Sequence, residues 1–186
     1  MNNYPIKILI HQRHFMKIAI RIILFTALAA INIHAQQKIF QDSLLDKMTG
    51  NWILKGTIAG QQTTHNVSIS WVLGHQYIQI HEVSQEKNAE GIPEYEAIVY
   101  IGLDESAKQY TCLWLDVTGS GGLNGQAIAH AERKGDTLPF LFNGEDGSLF
   151  HTTFVYDRNE DAWRWLMDGE ENGSLQPFAR VRLLRE

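Results

Sequence analysis

The sequence predicts an all-β fold: a single antiparallel up-and-down β-barrel of about ten strands, preceded by a short N-terminal helix. Three observations predict it. Apolar residues alternate with period two through most of the chain after Gly50. Turn-forming clusters rich in Gly, Asn and Asp recur at spacings of 8 to 14 residues. No helical stretch is long enough to carry a parallel crossover. Antiparallel strands joined by short turns close most simply into a barrel, because closure leaves no exposed edge. A β-sandwich is the alternative, but the long Greek-key connections it needs are not evident.

Residues 42–48 form the helical stretch. Asp42 or Ser43 caps it, Leu44, Leu45 and Met48 share a face, and Gly50 ends it. In the first strand Trp52, Leu54, Gly56 and Ile58 alternate with Ile53, Lys55 and Thr57. Val67, Ile69, Trp71 and Leu73 form the second, and the Gly74-His75 turn leads to the third at 77–83. A polar loop at 84–93 precedes a strand at 95–103, and a connection at 104–108 leads into 109–117. The turn at 119–122 is followed by a strand at 125–133 and a turn at Gly135-Asp136. The strand at 137–142 contains Pro139, which cannot donate to a ladder, so this segment is expected at an edge or bulge. Strands at 149–156 and 162–167 flank a hairpin turn at 157–161, and the strand at 175–184 closes the chain.

Composition agrees with a globular domain. The chain has 186 residues, 44% hydrophobic, 10% aromatic and 20% charged, which excludes disordered, collagen-like and coiled-coil classes. Cys112 is the one cysteine, so an internal disulfide framework and a Cys-rich zinc site are excluded.

Residues 16–35 have the pattern of an export signal. Lys17 and Arg21 precede an apolar run at 22–31, and Ala35 offers a small-residue cleavage site before Gln36. The run is shorter than the about 20 residues of a membrane span. Residues 1–15 read either as an extended positive region or as a segment upstream of a true start at Met16. An uncleaved N-terminal anchor is the other reading. The expected division is therefore a signal peptide at 1–35 and a barrel domain at 36–186, secreted or periplasmic.

Four of the 16 Lys and Arg residues and none of the 21 acids precede Gln36, so the remainder carries 12 basic and 21 acidic residues, a net charge of −9. Such a surface repels phosphate backbones, and a nucleic-acid partner is not expected. Stable membrane insertion after signal removal is not expected either. Oligomeric state has no signal in the sequence.

Gly50-Asn51-Trp52, placed between the helix and the first strand, resembles the calycin superfamily of lipocalins and fatty-acid-binding proteins. The resemblance implies that Trp52 closes the barrel base under a basic residue of the last strand, here Arg180 or Arg182, through a cation–π contact. The segment from Leu44 to Arg185 is similar to a lipocalin-like family of bacterial domains of unknown function. It shares the Gly-x-Trp opening, a Trp71-x-Leu73-Gly74 turn and a hairpin with Gly102, Asp104, Lys108 and Tyr110, and ends in an Arg-bearing strand. This implies a barrel and no particular activity. Nitrobindin-type barrels are similar too, and hold haem on a His near the C-terminal strands. This sequence has no His after His151, so that ligand has no counterpart and no cofactor is expected.

No pair among His65, His75, His81, His130 and His151 has metal-ligand spacing, and a metal site is not expected. His65 and His81 would approach only if the hairpin at Gly74 is tight, and Glu82 faces away from His81 on a regular strand. No nucleophile-elbow motif is present, and Gly119-Ser120-Gly121-Gly122 lacks the helix and Lys of a phosphate loop. Cys112 alternates with Tyr110 and Trp114, the setting of a buried structural thiol.

The aromatics carry more information. Trp71, Tyr95, Tyr110, Trp114, Phe154, Trp163 and Trp165 are the expected walls of a cavity for a small hydrophobic or amphipathic ligand, open between loops 84–93 and 119–124. Gly50, Trp52, Arg180 and Arg182 are the expected closure residues. The alternatives are a barrel-fold lyase, isomerase or hydrolase using His81 with Glu82 or Glu96, and a structural barrel whose lumen is filled by its own side chains.

Overall fold

A meander of strands has two outer edges, each with a row of unpaired backbone groups, unless its first strand meets its last. Here they meet. The structure, a computed structural model, describes residues 40–119 and 123–186. The export signal at 16–35 and residues 120–122 lie outside the described residues. The elements are α1 (Ser43–Met48), β1 (Gly50–Ile58), β2 (Gln61–Val72), β3 (Tyr77–Ser84), β4 (Glu96–Asp104), β5 (Gln109–Asp116), a 3-10 turn (Gly125–Ala127), β6 (Ile128–Ala131), β7 (Thr137–Asn143), β8 (Leu149–Asp157), β9 (Ala162–Glu171) and β10 (Ser174–Arg185). All ten strands join one closed antiparallel barrel in chain order, with β10 pairing back onto β1. Among the described residues no helix is long and apolar enough to cross a membrane.

The closing seam sets Trp52 opposite Arg185, Gly56 opposite Val181 and Ile58 opposite Ala179. It is tight at Gly56, whose φ is +151°. A Cβ there would lie 2.2 Å from the Arg180 carbonyl oxygen and 2.8 Å from Val181 Cα. Only glycine lets the two backbones approach so closely. Beside it, Ala59 and Gly60 take φ of +49° and +80°, a two-residue turn whose twist suits a β-hairpin.

The helix closes one end. Asp42 Oδ1 caps it by accepting from the Leu44 and Leu45 amides at 2.8 and 3.0 Å. Leu44, Leu45 and Met48 are buried against the core. The barrel wall then grips the helix with polar groups. Trp52 Nε1 donates to the Met48 carbonyl at 2.7 Å, Trp163 Nε1 to the Lys47 carbonyl at 3.3 Å and Trp71 Nε1 to Asp46 at 2.9 Å. Tyr110 donates its hydroxyl to Asp42. Burial, followed by that carboxylate, pushes the Tyr110 phenol up to about 12.

The cation over Trp52 is Arg185, at 4.2 Å from the ring centroid, and not Arg180 or Arg182. Parity explains the correction. Ala179, Val181 and Leu183 of β10 are buried, and Arg185 continues that inward row. Arg180 and Arg182 alternate with it and pair on the outside with Asp168 and Glu160. Arg185 also donates to the carbonyls of Thr49 and Lys47 at 3.1 and 3.2 Å and to Asp161 at 2.6 Å. It therefore ties the helix, the first strand and the β8–β9 turn together.

Two strands depart from the sequence expectation. β2 begins at Gln61, because residues 61–66 are polar on both parities yet still pair with β1 along their whole length. The expected strand at 125–133 is a 3-10 turn followed by only four strand residues. β6 in turn pairs with β7 at only Ala129–Phe142 and His130–Leu141, so Pro139 lies where β7 has lost its β6 neighbour and needs no donor on that side.

Replacing Arg185 with Ala is expected to lower unfolding free energy in urea by about 2 kcal/mol, the sum of a lost cation–π contact and lost charged hydrogen bonds. Arg182→Ala, which breaks only an exposed pair, should change it by less than about 1 kcal/mol. Cys112 is fully buried, and burial pushes its thiol up, so little thiolate forms in the native state. A disulfide reagent at neutral pH should label it only as fast as the barrel unfolds, with full reaction in denaturant.

Candidate functional site

The inward row of each strand changes character along the barrel. Near α1 it is apolar and packed: Trp52, Leu54, Ile69, Ile78, Ile101, Leu138 and Trp163 are buried together. Toward the other end the same rows continue as Thr63, His65, Glu82, Ser84, Asp116 and Thr152, around a cavity of about 720 Å³. That volume lies within the ordinary range of small-molecule sites and is far larger than a single water occupies. The β1–β2, β3–β4, β5–β6, β7–β8 and β9–β10 connections lie at this end.

One wall is aromatic. Trp114, Phe142, Phe150 and Phe178 line the cavity, with Trp114 edge-on to Phe142 at 6.3 Å and Phe178 edge-on to Phe150 at 5.6 Å. Met167 adds a flexible apolar surface. Trp114 Nε1 donates to Asp116 at 3.1 Å, and the Tyr95 hydroxyl donates to the same carboxylate oxygen at 3.3 Å. These contacts hold the indole and the phenol at fixed angles.

The opposite wall carries a row of hydrogen-bonded side chains. His65 Nδ1 meets Glu82 Oε1 at 2.5 Å, His65 Nε2 meets Thr63 Oγ1 at 2.7 Å, and Thr63 Oγ1 meets Glu86 Oε2 at 3.2 Å. Glu86 also accepts from the Thr64 amide at 3.0 Å. The Tyr95 ring stacks on the His65 ring at 5.7 Å. Three hydrogen bonds need three protons. A neutral imidazole and the Thr63 hydroxyl supply two, so the full row requires a further proton on the imidazole or on a carboxyl group.

His65 and Glu82 are 3% and 1% exposed. Glu82 Oε2 and Thr152 Oγ1, both in residues that line the cavity, are buried and have no hydrogen-bond partner among the described residues. Burying such groups unpaired is costly, and a functional role is a common reason to keep them. The charges act on their neighbours. Burial, then the carboxylates of Glu82 and Asp116, push the Tyr95 phenol far above its ordinary value. The Glu86 carboxyl is held below the usual carboxylate range, first by its own backbone amide and then, against its burial, by Thr64 and Thr63.

Of the aromatic residues expected at the cavity wall, Tyr95 and Trp114 line this cavity. Trp165 and Phe154 stand one layer behind: Trp165 touches Trp114 at 5.4 Å and Phe154 at 4.5 Å. Trp71, Tyr110 and Trp163 belong to the helix end, where Trp71 also stacks on His75 at 4.1 Å and Trp163 packs on Tyr156 at 5.1 Å. They share parity with the lining residues but not depth. His81 does not combine with Glu82. It points outward, 38% exposed, and pairs with Glu96 at 2.7 Å on the outer surface. The hairpin sets His65 opposite Ser84, and His81 opposite Ser68. The His–carboxylate pair of the cavity is His65 with Glu82. Its trace in the sequence is parity: His65 interrupts the row of Val67 and Ile69, and Glu82 interrupts that of Ile78 and Ile80.

No protein-family model and no curated protein matches this chain.

His65→Ala should lower unfolding free energy by about 3 kcal/mol, because it leaves the Glu82 charge buried without its donor. His81→Ala removes an exposed pair and should cost less than about 1 kcal/mol. Chemical denaturation of both variants checks the contrast.

Proposed function

We propose that this chain is an exported, calycin-like barrel, with its folded domain at 36–186, that binds a small amphipathic molecule in the open end of its lumen. The observation that carries the reading is the cavity of about 720 Å³ with one aromatic wall and buried polar groups that lack partners among the described residues. An apolar body against Trp114, Phe142 and Phe150 supplies affinity at about 25 cal/mol per Å² of buried surface. The polar wall orients the ligand. The calycin likeness is supported by Gly50-x-Trp52 at the base of a closed barrel, with Arg185 of the last strand stacked over the indole. Export is supported by the charged start, apolar run and small-residue site at 16–35.

Binding fits the geometry better than acid–base catalysis. Both ring nitrogens of His65 are engaged by Glu82 and Thr63, so the imidazole presents no free nitrogen to a bound molecule.

Nile red, a neutral apolar dye, is expected to bind with one-to-one stoichiometry and saturable fluorescence enhancement. Thr152→Phe, which adds a ring at the cavity wall, should weaken binding by roughly tenfold or more. Native mass spectrometry of the protein from its own host should show a co-purifying molecule of a few hundred daltons. A protein that is repeatedly bare and does not bind the dye would overturn the reading.

A further inference from the structure

The charges around the cavity are one-sided. Glu82, Glu86, Glu94 and Asp116 line it, and among the described residues no Lys or Arg does. Among the described residues His65 is the single basic group of the wall, so this lining stays net negative whether or not its ring carries a charge. Glu86 and Asp116 spend their oxygens on Thr64, Thr63, Tyr95, Trp114 and Thr118. Glu82 differs. It is the most buried of the four, and its Oε2 has no partner among the described residues. A buried carboxylate oxygen without a donor is matched by a ligand that brings one.

Two further features narrow the donor. Among the described residues no three His, Cys, Asp or Glu side chains converge closely enough to hold a metal ion, so the negative charge is spread over the wall and not focused on a point. The facing wall is made of aromatic rings, whose faces attract cations and whose area accommodates an apolar body. A carboxylate-headed amphiphile would meet like charge throughout.

We propose that the cavity takes an organic cation, an ammonium group on an apolar body, with the ammonium at Glu82 and the body against Trp114, Phe142 and Phe150. The proposal rests on the binding reading above and adds the chemical class of the ligand.

Three probes sharing a decyl chain test it at neutral pH: decylamine, decanol and decanoate. Binding is read by tryptophan fluorescence and confirmed by native mass spectrometry. Decylamine is expected to bind roughly tenfold more tightly than decanol, and decanoate more weakly than either. Glu82→Gln keeps the acceptor for His65 and removes the charge, so it should weaken decylamine binding more than decanol binding and abolish the advantage of decylamine. If Glu82→Gln fails to fold by circular dichroism, Glu94→Gln on the exposed rim carries the comparison and should reduce that advantage. Equal or tighter binding of decanoate, or an unchanged order in the folded variant, overturns the charge assignment alone. Failure of all three probes and of Nile red overturns the binding reading with it.

Discussion

The structure depends on the backbone pairing between β1 and β10. Every other feature of the interior presupposes it. With the seam closed, each strand has two neighbours, and an inside exists for inward side chains to fill or line. The seam is held by unlike devices at its two ends. At the helix end Arg185 stacks on Trp52 and hydrogen-bonds the carbonyls of Lys47 and Thr49 at the end of α1. Further along, Gly56 removes the side chain that would force the two backbones apart.

A closed barrel of this size has more lumen than its helix-end side chains occupy. α1 and the large residues Trp52, Trp163 and Leu54 consume one part of it. The remainder, where smaller or polar residues such as Thr63, Ser84 and Thr152 face the aromatic wall, stays hollow. Core and cavity are thus consecutive stretches of the same inward rows. The polarity of the hollow part carries a stability cost, since Glu82 and His65 are withdrawn from water on the wall of a cavity. Their mutual hydrogen bond recovers part of it, while the second oxygen of Glu82 has no partner among the described residues.

The aromatic residues show how one pattern serves two purposes. Trp114 and Trp165 touch, yet one lines the cavity and the other stands behind it. Tyr95 and Tyr110 are both inward phenols hydrogen-bonded to an aspartate, but Tyr95 faces the cavity with Asp116 while Tyr110 anchors the helix cap at Asp42. Residue type and alternation are alike in these pairs. Depth along the barrel separates them.

The sequence by itself determined the all-β class, the short capped helix, the order of the strands and most of their limits, because period-two alternation and turn chemistry are local properties of neighbouring residues. It did not mark residues 61–66 as strand, since the inner row there faces a cavity and is polar like the outer row. It placed the closing cation at Arg180 or Arg182, although the inward parity of β10 runs through Ala179, Val181 and Leu183 to Arg185. Tertiary structure alone decided which aromatics line the lumen and that His65 meets Glu82. Both depend on the register of β2 against β3 and on how far α1 fills the barrel, and neither distance is written in any one strand.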